Sequence, residues 1–167
     1  MVPEEGLESL MVPRWLVSVD PGTANAGIAV FENGCLVDAA DLKYPEPTCF
    51  LDVAPRGKAV WVREKMRKRS KFRVAHKDLT AIEGLMRTLA RYGNFQWASE
   101  LYPETWKAGV PKPQHHARLK EALFADELPI WEAAGPDGRD AIGIGLFYLG
   151  RVARGGLPGT WDPLDNE

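Results

Sequence analysis

Apolar and polar positions divide the chain into short runs of distinct period. Trp15 to Asp20 (WLVSVD) is an apolar, β-branched run closed by Pro21-Gly22, which predicts a buried strand and a tight turn. Gly27 to Phe31 predicts a second strand. Glu32-Asn33-Gly34 carries an Asn-Gly hairpin signal, and Cys35 to Ala39 returns as a third strand. Residues 44–57 hold three prolines without periodicity and read as a loop. Lys58 to Glu64 predicts a fourth strand. Asp78 to Tyr92 sets Leu79, Ile82, Leu85, Met86 and Leu89 on one helical face, with Gly93 as the C-cap. Phe95 to Leu101 reads as a fifth strand stopped by Pro103. Lys112 to Ala125 and Pro136 to Arg151 have helical spacing, the latter through Ile142, Leu146 and Leu149. Residues 1–13 and 155–167 read as loosely attached tails. The pattern implies an α/β domain over residues 14–154, a mixed sheet covered by helices.

The length of 167 residues suits one domain, and 45% hydrophobic with 26% charged residues is ordinary for a globular protein. Apolar runs are too short for a transmembrane helix. The opening MVPEEGLESL is acidic where a signal peptide would be basic, so a cytoplasmic setting without a membrane partner is expected. Cys35 and Cys49 lack a C-x-x-C spacing and read as free thiols rather than zinc ligands.

The net charge of −2 conceals strong segregation. Between Arg56 and Arg73 stand nine basic residues, Arg56, Lys58, Arg63, Lys65, Arg67, Lys68, Arg69, Lys71 and Arg73, with Glu64 the single acid. Such a block repels itself unless it meets a polyanion. Its basic side chains from Arg63 onward, with Lys77 just beyond, are candidates for contact with a nucleic-acid backbone. A solvated charged loop is the alternative.

Four acids mark where a catalytic pocket could form. Asp20 closes the first strand, Glu64 ends the fourth, and Asp137 and Asp140 lie three apart on one face of the last helix. Hydrolysis of a phosphodiester needs an activated water and a stabilised leaving oxygen, and two divalent ions can serve both. Hard cations such as Mg²⁺ take oxygen ligands, so Asp and Glu are the residues this chemistry demands. Taken singly, each acid has a plainer role. Asp20-Pro21-Gly22 fits a type II turn, Asp137 and Asp140 can cap a helix, and Glu64 can be a counter-charge.

Order and local wording go further. SVDPGTANAGIAV, VWVREKM, ELYPETWKAGVPK and PDGRDAIGIGLFYLGR together resemble the RuvC family of Holliday junction resolvases, within the RNase H-like superfamily. The likeness runs from Trp15 to Arg151. It implies an RNase H-like mixed five-stranded sheet flanked by helices, with Asp20, Glu64, Asp137 and Asp140 as ligands of two Mg²⁺ ions and Mn²⁺ as a substitute. Lys107 and Lys112 match the family's assisting lysines, which contact the scissile phosphate. The resemblance further implies a homodimer acting on four-way or other branched DNA.

Two departures stand out. Where bacterial members carry a stacking aromatic soon after the fourth-strand Glu, this chain has Arg67, and the first aromatic is Phe72. The dense basic block and the Pro-x-x-Trp-Lys wording at Pro103 to Lys107 look closer to bacteriophage members. Trp61 and Trp106 are expected in the core, and His115 and His116 facing solvent or phosphate. Competing readings are an actin-like phosphate-binding domain, a non-catalytic DNA-binding protein on the same shell, and an RNase H-like nuclease acting on RNA.

Overall fold

Three strands, β1 (Trp15–Asp20), β2 (Asn25–Glu32) and β3 (Cys35–Lys43), open the computed structural model as an antiparallel meander. The structure describes residues 12–66 and 76–161. At the β2–β3 turn Asn33 and Gly34 both adopt positive φ, 50° and 83°, the backbone that an Asn-Gly pair tolerates. Helix α1 (Pro47–Val53) follows, then β4 (Val60–Glu64), α2 (His76–Gly93) and β5 (Trp97–Leu101). The chain ends in α3 (Pro103–Trp106), α4 (Lys112–Glu121), α5 (Leu128–Ala133), α6 (Pro136–Tyr148) and a 3₁₀ turn at Arg154–Gly156. The five strands form one mixed sheet in the order β3-β2-β1-β4-β5, with β4 parallel to both of its neighbours.

Strand alternation divides the core between the two faces of that sheet. Leu16 of β1 and Val62 of β4 join a cluster with Trp106, Leu119, Trp131 and the α6 residues Ile142, Ile144 and Leu146. Val17, Val19 and Trp61 point the other way, to Phe50 of α1 and Met86 and Leu89 of α2. Trp61 stacks on Phe95 at 4.2 Å and is a core residue, as its surroundings in the sequence suggest. Helix α6 is buried along most of its length and ties to β1 through Ser18 Oγ, which donates to the Ala141 carbonyl at 2.6 Å.

Several short elements depart from the pattern-based reading. The expected loop at residues 44–57 contains α1, whose single buried side chain, Phe50, is too little for a periodic signal. The helix expected through Ala125 ends at Glu121, and α5 follows it. The C-terminal stretch through Trp161 is not a loose tail. Val152 pairs with Pro158, Trp161 N donates to the Gly150 carbonyl at 3.1 Å, and the Trp161 ring lies against Gly34. Beneath it, the buried Glu127–Arg151 ion pair, 2.6 Å, is completed by the Gly34 carbonyl and the Leu36 amide, which anchors the β2–β3 turn. Such a pair is worth little as bare charge but fixes its surroundings once every donor is satisfied.

Candidate carboxylate site at the strand ends

The same alternation that builds the core carries the acids to one place. Asp20 continues the Leu16, Ser18 parity and Glu64 the Val62 parity, so both face α6. They sit at neighbouring carboxyl ends of parallel strands, one step beyond the Val19–Arg63 pair. Helix α6 begins over this spot because β2 has no side chain at Gly27, the register partner of Asp20. A Cβ at Gly27 would overlap the carbonyl of Asp137. The bare position lets the first turn of α6 rest on the sheet, with Asp137 and Asp140 beside Asp20.

The electrostatics follow from this crowding. Burial, then the charges of Glu64 and Asp140, push the Asp20 carboxyl well above its ordinary range. Burial also raises Glu64, against the pull of Lys107 and of a hydrogen bond from Trp106 Nε1 to Oε2 at 2.8 Å. Burial works to raise Asp140 too, but His116, Lys107 and Lys112 outweigh it and hold its carboxyl low. Asp137 stands half-buried on the rim, raised by burial and by nearby Asp41.

Two lysines enter the cluster. Lys107 Nζ lies 3.2 Å from Glu64 Oε2 and 3.9 Å from Asp140 Oδ2, while Lys112 Nζ lies 3.1 Å from Asp140 Oδ2. Burial disfavours the charge on Lys107, but Glu64, Asp140 and Asp20 overcome it and raise its pKa. The structure therefore brings together all six of the residues expected to be catalytic.

Two partners were not legible in the sequence. Trp106 is a core residue and a donor to Glu64 at once. His116, expected toward solvent or phosphate, instead meets Asp140 Oδ1 through Nε2 at 2.8 Å. His115 is buried edge-on against Trp106, and burial, then Lys107, lowers its pKa to about 4. The four-residue offset puts His116 on the helix face of Lys112, but nothing local shows that Asp140, 24 positions on, meets that face.

Among the described residues no three His, Cys, Asp or Glu side chains converge as a ready-made metal cage. Lys107 and Lys112 set their ammonium groups against oxygens of Glu64 and Asp140. The donor set nevertheless fits a hard divalent cation: it is all carboxylate oxygen, and the charges of Glu64 and Asp140 add to burial in raising Asp20.

The basic residues divide. Arg63, expected on DNA, is corrected by the strand period: one position before Glu64, it points to the opposite face. There it is 3% exposed and pairs with Glu83 at 2.6 Å and Glu100 at 2.7 Å. Lys77 is exposed, and Lys65 is half-buried with Nζ 3.4 Å from Glu100. Arg67, Lys68, Arg69, Lys71, Phe72 and Arg73 lie outside the described residues. Among the described residues no helix is long and apolar enough to cross a membrane.

No family model matches this sequence, and no curated protein matches it. Solved structures do match by fold. Thermus thermophilus RuvC has a TM-score of 0.54 at 15% identity, over 79% of this chain and 91% of that one. T. thermophilus RuvC in complex with Holliday junction substrate has a TM-score of 0.50 at 17% identity, over 79% of this chain and 90% of that one. The chain thus has a RuvC-like fold, a mixed five-stranded sheet with flanking helices.

Proposed function

We propose that this chain is a divalent-metal-dependent endonuclease that cuts branched DNA, with the four-way junction as its first expected substrate. One observation carries the reading: Asp20, Glu64 and Asp140 crowd at one end of the sheet with the ammonium groups of Lys107 and Lys112 among them. Carboxylates hold hard cations and ammonium groups hold phosphate, so the mixture suits a phosphodiester. The fold shared with a RuvC bound to a Holliday junction substrate favours branched DNA as the form of that ester.

Asp20, Glu64, Asp137 and Asp140 would hold two Mg²⁺ ions, with Mn²⁺ as a substitute. When bound, the ions supply a water of lowered pKa and charge stabilisation at the departing oxygen. The chain's own groups do the rest. Trp106 fixes one oxygen of Glu64, and His116 fixes one oxygen of Asp140. Lys107 keeps its proton among the acids and is a permanent cation beside the scissile phosphate. Lys112, on the more exposed side, meets the same phosphate from the rim. In-line attack of water on phosphorus breaks the P–O3′ bond and leaves a 5′-phosphate and a 3′-hydroxyl.

Lys65, Lys77 and the basic residues from Arg67 to Arg73 would track the DNA backbone, a salt-dependent contact without sequence preference. Phe72 would take the stacking role at the branch. A four-way junction offers two equivalent strands, so two copies of this chain, one per strand, are the expected working form.

The test is a single cleavage panel with Mg²⁺: four-way junction, flap, linear duplex and RNA–DNA hybrid. Preferential cutting of the branched substrates supports the reading. Cutting confined to the hybrid would replace it with an RNA-directed nuclease, and no cutting of any substrate would remove the enzymatic account.

A further inference from the structure

Helix α6 lacks a cap of its own. Its N-cap residue is Gly135, which has no side chain to satisfy the amides that every helix leaves open at its start. The missing acceptor comes from β3. Asp41 Oδ1 accepts from the amides of Gly135 at 2.8 Å and Gly138 at 3.2 Å, and Oδ2 accepts from the amide of Asp137 at 3.2 Å. The seat is close-fitting. A Cβ at Gly135 would come within 2.5 Å of Asp41 Oδ2, and one at Gly138 within 2.6 Å of Oδ1.

Register explains why the carboxylate is there. Asp20 pairs with Gly27 on β2, and Gly27 pairs with Asp41 on β3. Neighbours on one rung of a sheet point to the same face. Asp20 and Asp41 therefore flank the bare Gly27 on the side where α6 begins. Each of the three strands gives one residue to the first turn: Asp20 to the acid cluster, Gly27 to the Asp137 carbonyl, Asp41 to the open amides.

We propose that Asp41 is a positioning residue for the carboxylate site, clamping the first turn of α6 to the sheet so that Asp137 and Asp140 are held at a fixed distance from Asp20 and Glu64. A cap from the adjoining residue sets only the winding of a helix. A cap donated from 94 to 97 residues away also sets where the helix stands. Asp41 is exposed and would not itself touch the scissile bond.

The activity arm of the test rests on the nuclease reading, whereas the amide-exchange arm does not. Asp41→Ala and Asp41→Asn are compared with the wild-type chain, at a temperature well below every melting point. The clamp predicts that Asp41→Ala loses about ten- to a hundredfold in single-turnover cleavage at saturating junction, with junction affinity unchanged. It also predicts faster hydrogen exchange at the amides of Asp137 and Gly138. Asp41→Asn keeps one oxygen acceptor and should recover most of both. If Asp41→Ala merely melts earlier and cuts at the wild-type rate, Asp41 is an ordinary cap and the proposal is overturned. Unchanged exchange at the two amides overturns it as well. Should the wild-type chain cut nothing, the nuclease reading fails while the exchange result still decides whether the clamp exists.

Discussion

Gly27 on β2 lies directly under the carbonyl of Asp137, so closely that the smallest side chain would collide with the backbone of α6. The contact joins the strand rung that carries Asp20 to the helix that carries the other aspartates. Gly27→Ala must lift the helix start or distort the strand, at a cost of about 1–3 kcal/mol in stability. Cleavage should fall more steeply than stability, because the displacement is centred on the acids. Denaturant melts beside single-turnover rates check this; a wild-type rate in Gly27→Ala would mean that the approach of α6 is not needed.

Trp106 offers a second, local test. Its ring fills the core beneath α6 while its Nε1 serves Glu64. Trp106→Phe keeps most of the packing and removes the donor, leaving a buried carboxylate oxygen with Lys107 as its remaining close partner. Hydrogen bonds to charged groups contribute about 1.5–3 kcal/mol, and a loss of that size is expected in chemical denaturation. A variant as stable as the wild type would show that this bond has no net effect.

The basic residues should separate into two classes by salt dependence. Neutralising Arg67, Lys68 and Arg69 together should flatten the slope of log affinity against log salt by up to about 2.7, roughly 0.9 for each phosphate left without its cation. Arg63→Met should leave that slope unchanged and instead lower stability, because its guanidinium is bonded to Glu83 and Glu100 inside the protein. Equal slopes for all variants would remove the segment from the DNA interface, and a flatter slope in Arg63→Met would contradict its internal role.

Acidity gives a metal-free signature. Folding raises the carboxyls of Asp20 and Glu64 above their ordinary 3.8 and 4.5. Between the ordinary and the raised values the native state binds more protons than the unfolded chain. Stability associated with the protonated forms is therefore complete below the ordinary values and is lost as pH climbs through the raised ones. Asp140 runs the opposite way: its contribution is present above 3.8 and disappears only as pH falls through its lowered value. In EDTA, Asp20→Asn should melt higher than the wild type at neutral pH, by about 2–4 °C for each kcal/mol of penalty relieved. The difference should vanish below pH 3.8. Mg²⁺ should then stabilise the wild type and not the variant. A variant that melts lower than the wild type throughout would show that Asp20 is not strained by its neighbours.

Much of the site is legible in the order of residues alone. The apolar runs of β1 and β4 end at Asp20 and Glu64, and their period of two assigns both to one face. The same period turns Arg63 to the opposite face, although charge density by itself groups it with its basic neighbours. Helices α1, α3 and α5 leave no such trace because four to seven residues carry too few turns to show a 3.6-residue period. Asp41 and His116 are hidden for a different reason. Their partners lie 94 to 97 and 24 positions away, across a sheet register and a helix packing that no local pattern encodes. The docking of Trp161 on Gly34 is likewise a long-range contact, made by a segment whose composition suggests only looseness.

The most direct trial of the central claim is Asp20→Asn with a synthetic four-way junction, binding and cleavage followed in the same samples with Mg²⁺ and with EDTA. The account predicts that the variant binds the junction as the wild type does but no longer cuts it, and that EDTA abolishes cutting by the wild type. Cleavage that survives either the substitution or the chelator would contradict it.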